Sequence, residues 1–120
     1  MSQHQLSHET VTESPKVVCL AIGGELDHSN GQEAEAYFDD LWQKESPRHL
    51  LLDLSELTFA GSVFFSTLLF WRETVTSGGG KLVVIAPTSE VLSTMRLFTI
   101  DRMLTICPDR ETAEAEVAES

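Results

Sequence analysis

Apolar residues along this chain fall into two alternating periods. Short runs at 16–22 (KVVCLAI), 50–54 (LLLDL) and 81–86 (KLVVIA) read as strands buried on both faces, which requires a parallel sheet covered by helices. Between them the apolar positions recur at helical spacing. Tyr37, Phe38, Leu41 and Trp42 form one stripe, predicting a helix from about Gln32 to Lys44. Asn30 is suited to cap it, with Glu33 in the capping-box position, and Ser46-Pro47 ends it. From Val63 onward Phe65, Leu68, Leu69 and Val75 share an inward face until Gly78-Gly79-Gly80 stops the element. Phe64 and Trp71 lie seven apart on the flank of that face, and Phe64 is expected to be partly exposed. Pro87-Thr88 opens a third helix with Val91, Leu92 and Met95 inward. Met103 to Cys107 reads as a short strand. Pro108-Asp109 starts a terminal helix whose apolar face is only Ala113 and Val117, so it should be the least stable.

Strands alternating with helices predict an α/β fold: one domain with a mixed, mostly parallel sheet of four or five strands covered by about four helices. The segments starting at 17, 50 and 81 should be central. Residues 1–15 form a polar N-terminal segment in which Glu9 to Glu13 could add a weak edge strand; residues 16–120 form the domain. There is no internal repeat and no linker. At 120 residues the chain can bury roughly two-thirds of its unfolded surface in a single core.

The stretch from Leu50 to Ser62 carries the most information. A buried strand runs out at Asp53, a polar connection follows, and Ser62 stands where the period changes to helical. A helix N-terminus after a strand is a usual place for recognition in an α/β sheet. Ser62 has two readings. As an N-cap, its oxygen would accept a first-turn amide, worth ~1 kcal/mol without any function. As a regulatory site, it would hold a phosphate favoured by the helix dipole and free amides. Asp27 and Asp53 are expected near the same mouth, each capping loop amides. Exposed aromatics beside Ser62 would form an apolar docking patch.

Nineteen acidic against eight basic residues give a net charge of −11, which disfavours nucleic acid and anionic membranes and suits a basic or mixed protein partner, or serves solubility alone. No run approaches the ~20 apolar residues of a membrane span, and the polar start MSQHQLSHET is unlike a signal peptide. Cys19 and Cys107 sit in core-like positions, which suggests a reducing cytoplasm. His4, His8, His28 and His49 show no metal-ligand spacing, so neither a metal nor a cofactor is expected. No nucleophile motif surrounds Ser62, although His28 and His49 could approach it in space, and no enzyme activity is expected. A receiver domain is rejected: Gly23-Gly24 stands where its acidic pair belongs, and Lys81 precedes its strand. Gly78-Gly79-Gly80 follows a helix, so it is not a phosphate loop.

The segment FAGSVFFSTLL resembles the phosphoacceptor loop of STAS domains, in particular of anti-sigma factor antagonists. GGELDHSN, PRHLLLDLSELTF, SGGGKLVVIAPTSEVLSTMRLF and IDRMLTICPDRETAEAEV are similar to further family segments in the same order. The resemblance makes Ser62 the phosphoacceptor candidate, with Asp27, Asp53, Gly61, Ser62 and Phe64 at the partner-binding surface. It implies a cytoplasmic switch in bacterial transcription regulation: unphosphorylated, the protein binds an anti-sigma factor and releases a sigma factor. The partner would be an ATP-using serine kinase that phosphorylates Ser62 and carries the ATP and magnesium itself. Two family positions differ: Gly61 stands for the acidic residue before the serine, and Phe64 for the glycine two residues after it. Both favour a second reading, a non-phosphorylated STAS subunit of a larger complex such as a transporter ATPase assembly. A small-ligand-binding module is the third.

Overall fold

The three unbroken apolar runs lie side by side in the middle of one sheet in the computed structural model, which describes residues 4–27 and 29–118. In chain order the elements are β1 (His4–Glu13), β2 (Lys16–Leu26), α1 (Gly31–Glu45), β3 (His49–Asp53), β4 (Leu57–Ala60) and α2 (Ser62–Ser77). There follow β5 (Leu82–Ile85), α3 (Ser89–Leu97), a 3-10 turn (Ile100–Arg102), β6 (Thr105–Cys107) and α4 (Arg110–Ala118). The strand order is β1-β2-β3-β5-β6, and β4 pairs with the end of β2 off that path. Only β1 is antiparallel; β2, β3, β4, β5 and β6 make parallel pairs. The α/β class and the central place of β2, β3 and β5 are those the sequence predicts.

Two strands differ from expectation. β1 pairs with β2 from His4 to Glu13, well beyond Glu9–Glu13. An edge strand takes its backbone bonds from one neighbour and needs little apolar burial, so HQLSHETVTE shows no period to read. The connection after Asp53 contains β4, in which Leu57 is fully buried while Thr58 and Phe59 face outward. Four residues are too few for alternation to reveal.

Side chains alternate across the sheet and sort into two cores. Val18, Leu20, Leu50, Leu52, Leu82 and Val84 meet α1, α2 and α3; Val17, Cys19, Leu51, Val83, Ile85 and Cys107 meet Ala113 and Val117 of α4. Both cysteines are free and buried, and burial pushes the Cys19 thiol up to about 11.

The expected exposure of Phe64 is overturned: it is 6% exposed and packs edge-on against Trp71 (6.0 Å) and Phe65 (5.6 Å). Trp71 is also buried, stacked 4.7 Å from Phe38 of α1. The buried seam of α2 runs Phe64, Leu68, Trp71, Val75, at spacings of four, three and four, with Phe65 beside it. A helix wedged between a second helix and a sheet buries a wider arc than the stripe through Phe65 and Leu68 suggests, and Leu69 is only half-buried.

Chain ends of the helices follow local chemistry. The Thr88 hydroxyl accepts from Val91 N–H (3.4 Å) and donates to the Leu57 carbonyl (2.8 Å), tying α3 to β4. Asp109 accepts from Thr112 N–H (2.8 Å) at the start of α4. At the end of α2, Gly79 has φ +87°, and a Cβ on Gly80 would meet the Arg48 carbonyl oxygen at 1.6 Å, so both positions require glycine. The capping box at Asn30 is absent. Its side chain makes no capping bond and instead closes the turn before α1, accepting from Asp27 N–H (2.9 Å) and donating to the Glu25 carbonyl (2.8 Å).

Candidate functional site

The C-terminal end of β2, the exit of β4 and the start of α2 converge around Ser62. Gly61 N–H donates to the Leu26 carbonyl (2.8 Å), which fastens the beginning of α2 to the end of β2. Gly61 has extended dihedrals (φ −72°, ψ 165°) and is the N-cap; Ser62 is the first helical residue. The N-cap reading of Ser62 is therefore corrected by one position. Its side chain is exposed, and behind it Phe64 N–H donates to the Gly61 carbonyl (3.1 Å) to close the first turn. A Cβ at position 61 would meet its nearest neighbour, the Leu26 carbonyl oxygen, at an ordinary 3.7 Å, so glycine is not sterically required there.

A cleft of about 350 Å³ opens beside Ser62, lined by Leu26, Asp27, Gly31, Gln32, Glu35, Phe59, Gly61, Ser62, Val63, Phe64 and Thr67. Asp27 shapes its rim: one carboxylate oxygen accepts from Ser29 N–H (2.9 Å) and from the Ser29 hydroxyl (2.6 Å). This is the loop-capping role expected of it. Across the cleft, Glu35 of α1 accepts from the Thr67 hydroxyl of α2 (3.3 Å). Phe59 and Val63 present large apolar side chains to solvent at the same mouth. The site thus combines an accessible hydroxyl, an apolar lip and two carboxylates.

Four candidate residues, Asp27, Gly61, Ser62 and Phe64, line this one cleft, Phe64 as a buried wall rather than a docking side chain. Asp53 does not join them. Strand alternation puts it on the α4 side of β3 with Leu51, where it borders a separate cleft with Ser7, His8, Glu9, Cys19 and Arg110. There it accepts from Ser55 N–H (2.9 Å), the loop-amide cap foreseen for it. His49 begins β3, at the end of the strand away from Asp53, and cannot reach Ser62. Its Nδ1 accepts from Lys81 N–H (2.9 Å). His28 lies outside the described residues.

The sequence reading missed Phe59, Val63 and Glu35. Val63 could have been found by shifting the buried seam to Phe64, Leu68 and Trp71, which turns Val63 outward. Phe59 carried no signal, because its role depends on β4 lying beside β2, and Glu35 carried none, because its role depends on α1 packing beside α2. Among the described residues no group of three or more His, Cys, Asp or Glu side chains is placed to hold a metal ion. No helix among them is long and apolar enough to cross a membrane.

The family model for the STAS domain matches residues 9–113. Solved structures share the fold. An anti-sigma factor antagonist from Mycobacterium paratuberculosis is 22% identical, with 97% of this chain and 95% of that chain covered and a TM-score of 0.85. The anti-sigma factor antagonist SpoIIAA in its unphosphorylated form is 17% identical, with 97% and 98% covered and a TM-score of 0.79. The Bacillus cell fate determinant SpoIIAA in the phosphorylated form is 15% identical, with 92% and 98% covered and a TM-score of 0.70.

Proposed function

This chain belongs to the STAS domain family, and we propose that it works as a protein-binding switch of the anti-sigma factor antagonist kind. Unphosphorylated, it binds an anti-sigma factor through the cleft at Ser62 and so controls sigma-factor availability in the cytoplasm. The same partner, an ATP-using serine kinase, transfers a phosphoryl group to the Ser62 hydroxyl. The chain is then a ligand and a substrate, and the catalytic groups belong to the partner. One observation carries the reading: Ser62 is the exposed first residue of α2, at the lip of a cleft with Phe59 and Val63 outward. Apolar side chains supply the contact to be desolvated, and a phosphate of about −1.5 to −2 charges would spoil it. Asp27 and Glu35 already make that rim acidic, so the added charge also meets like charge. Two of the fold neighbours are forms of SpoIIAA with and without phosphate, which lends support by analogy.

The test has two arms. Incubation with candidate kinases should add a single phosphate, placed on Ser62 by intact mass and absent from Ser62→Ala. Ser62→Asp should weaken partner binding by about 2–5 kcal/mol while Ser62→Ala preserves it. Gly61 favours a second reading, a non-phosphorylated STAS subunit of a larger assembly, because the acidic residue beside the serine is missing even though the backbone leaves room for it. A partner that binds stoichiometrically and ignores both substitutions decides for the subunit.

A further inference from the structure

Away from the Ser62 cleft, the segment from Arg96 to Met103 exposes three large apolar side chains: Leu97 (77%), Phe98 (52%) and Met103 (50%). They are not the loose end of a helix. Ile100 and Leu104, alternating with them along the segment, are buried in the main core, and Met103 N–H donates to the Ile100 carbonyl (2.9 Å) to close the 3-10 turn. The outward side chains are therefore held on a fixed support, which is the condition for a contact surface rather than a frayed tail.

The charge around them is opposite to that of the molecule. In a chain of net charge −11, this segment carries two exposed arginines, Arg96 and Arg102, against one carboxylate, the half-buried Asp101. The ion pairs among the described residues engage Lys16, Lys44, Lys81 and Arg110, and neither Arg96 nor Arg102 takes part in them. The surface is apolar with a net positive charge, two arginines against one aspartate. The Ser62 mouth has the complementary make-up, with Phe59 and Val63 outward beside Asp27 and Glu35.

We propose that the Leu97–Met103 surface docks on the Ser62 mouth of a second copy of this chain. The two surfaces differ, so the contact is heterologous: each copy has one of each to offer. Long-range repulsion between two anionic molecules keeps the association weak, and the local arginine–carboxylate pairs with their apolar centre supply its specificity. Its consequence is regulatory. A copy seated on the mouth covers Ser62, so self-association competes with any partner or kinase that needs the same hydroxyl.

Sedimentation velocity of the protein alone tests this. The weight-average mass should rise above the 13.3 kDa monomer as concentration approaches the order of 1 mM. Arg96→Glu with Arg102→Glu should weaken association by about tenfold or more, and so should Glu35→Arg. Mixing the two variants should restore it, because the unaltered Arg96/Arg102 segment of the Glu35→Arg copy then meets the unaltered mouth of the other. Far-UV circular dichroism on each variant separates loss of contact from loss of fold. A wild-type protein that stays at 13.3 kDa throughout overturns the proposal, as does association that the charge reversals leave unchanged or that mixing fails to restore. No partner or kinase is present in this measurement, so its failure leaves the switch reading to its own test.

Discussion

Against one face of the sheet, α1 and α2 set Phe38, Phe64, Phe65 and Trp71; against the other, α4 alone sets Ala113 and Val117. The strands between them already differ, since β3 turns Leu50 and Leu52 to the first side but His49, Leu51 and Asp53 to the second, and what covers them widens the difference. Aromatic side chains bring ~150–250 Å² each to the first face, while the second is closed by small residues and rimmed by partly exposed ion pairs. Those pairs, Arg110 with Glu9 and Glu114 and Lys81 with Glu116, add little in water. The Ser62 mouth is assembled entirely from the aromatic side: β2, β4, α1 and α2. Its geometry is thus carried by the part of the molecule that is hardest to open, and α4 is the element expected to open first.

Truncating the aromatic face should show the largest effect. Phe64→Ala removes a ring packed on Trp71 and Phe65 and should cost about 3–5 kcal/mol in urea unfolding. A cost under about 1 kcal/mol would mean that Phe64 is not part of the seam and would return it to the docking surface. On the thin face, Val117→Ala should cost about 1–2 kcal/mol, from two methyl groups lost at a buried position. Hydrogen exchange should then speed up in α4 well before α2 responds. Equal acceleration of both helices would show that the two faces unfold as one unit and that the contrast has no dynamic meaning.

What the sequence made legible follows the same division. Continuous runs such as Leu50 to Leu52 announce buried strands, because burial on both faces leaves no polar position. The stripe of α1 and the stop at Gly78-Gly79-Gly80 were readable for equally local reasons. Phe64 was not, since which arc of α2 turns inward depends on where α1 lies across it, and Phe38 stacking on Trp71 is a contact between distant segments. Asp53 was placed on the right strand and the wrong side: position after an apolar run gives the strand's end, whereas its face depends on the register with β2 and β5. Ser62 was readable to within one residue, the usual uncertainty of a helix start. Phe59 became a site residue only through β4, which four residues could not announce, and Glu35 only through the packing of α1 beside α2.

Acid should bear on the thin face through His49, which shares the α4 side of β3 with Leu51. The residue is fully buried, and its Nδ1 accepts from Lys81 N–H, which fixes the neutral ring. Burial first, then the charges of Arg48 and Lys81, hold its pKa below the ordinary 6.5. The unfolded chain therefore takes up a proton at a higher pH than the folded one. Stability is complete above about 6.5 and falls as pH drops through that value toward the folded pKa. Urea midpoints at about pH 7.5 and 5.5 should differ in that sense, and His49→Gln, which can still accept from Lys81, should flatten the difference. A wild-type slope that survives the substitution would assign it to other histidines.

The smallest effect is expected at the most functional position. Ser62 is the first helical residue rather than the cap, and its side chain is exposed. Ser62→Ala should accordingly change stability by no more than about 0.5 kcal/mol. Thr88→Ala provides the contrast, because that hydroxyl both caps α3 and bonds the Leu57 carbonyl, and its loss should cost about 1–2 kcal/mol. The pair separates structure from function at two hydroxyls beside α-helix starts. If Ser62→Ala costs as much as Thr88→Ala, the Ser62 hydroxyl is a working cap, and its exposure at the cleft loses its force as an argument for modification. If it costs nothing while abolishing phosphate incorporation, the hydroxyl is available for chemistry because the fold does not use it.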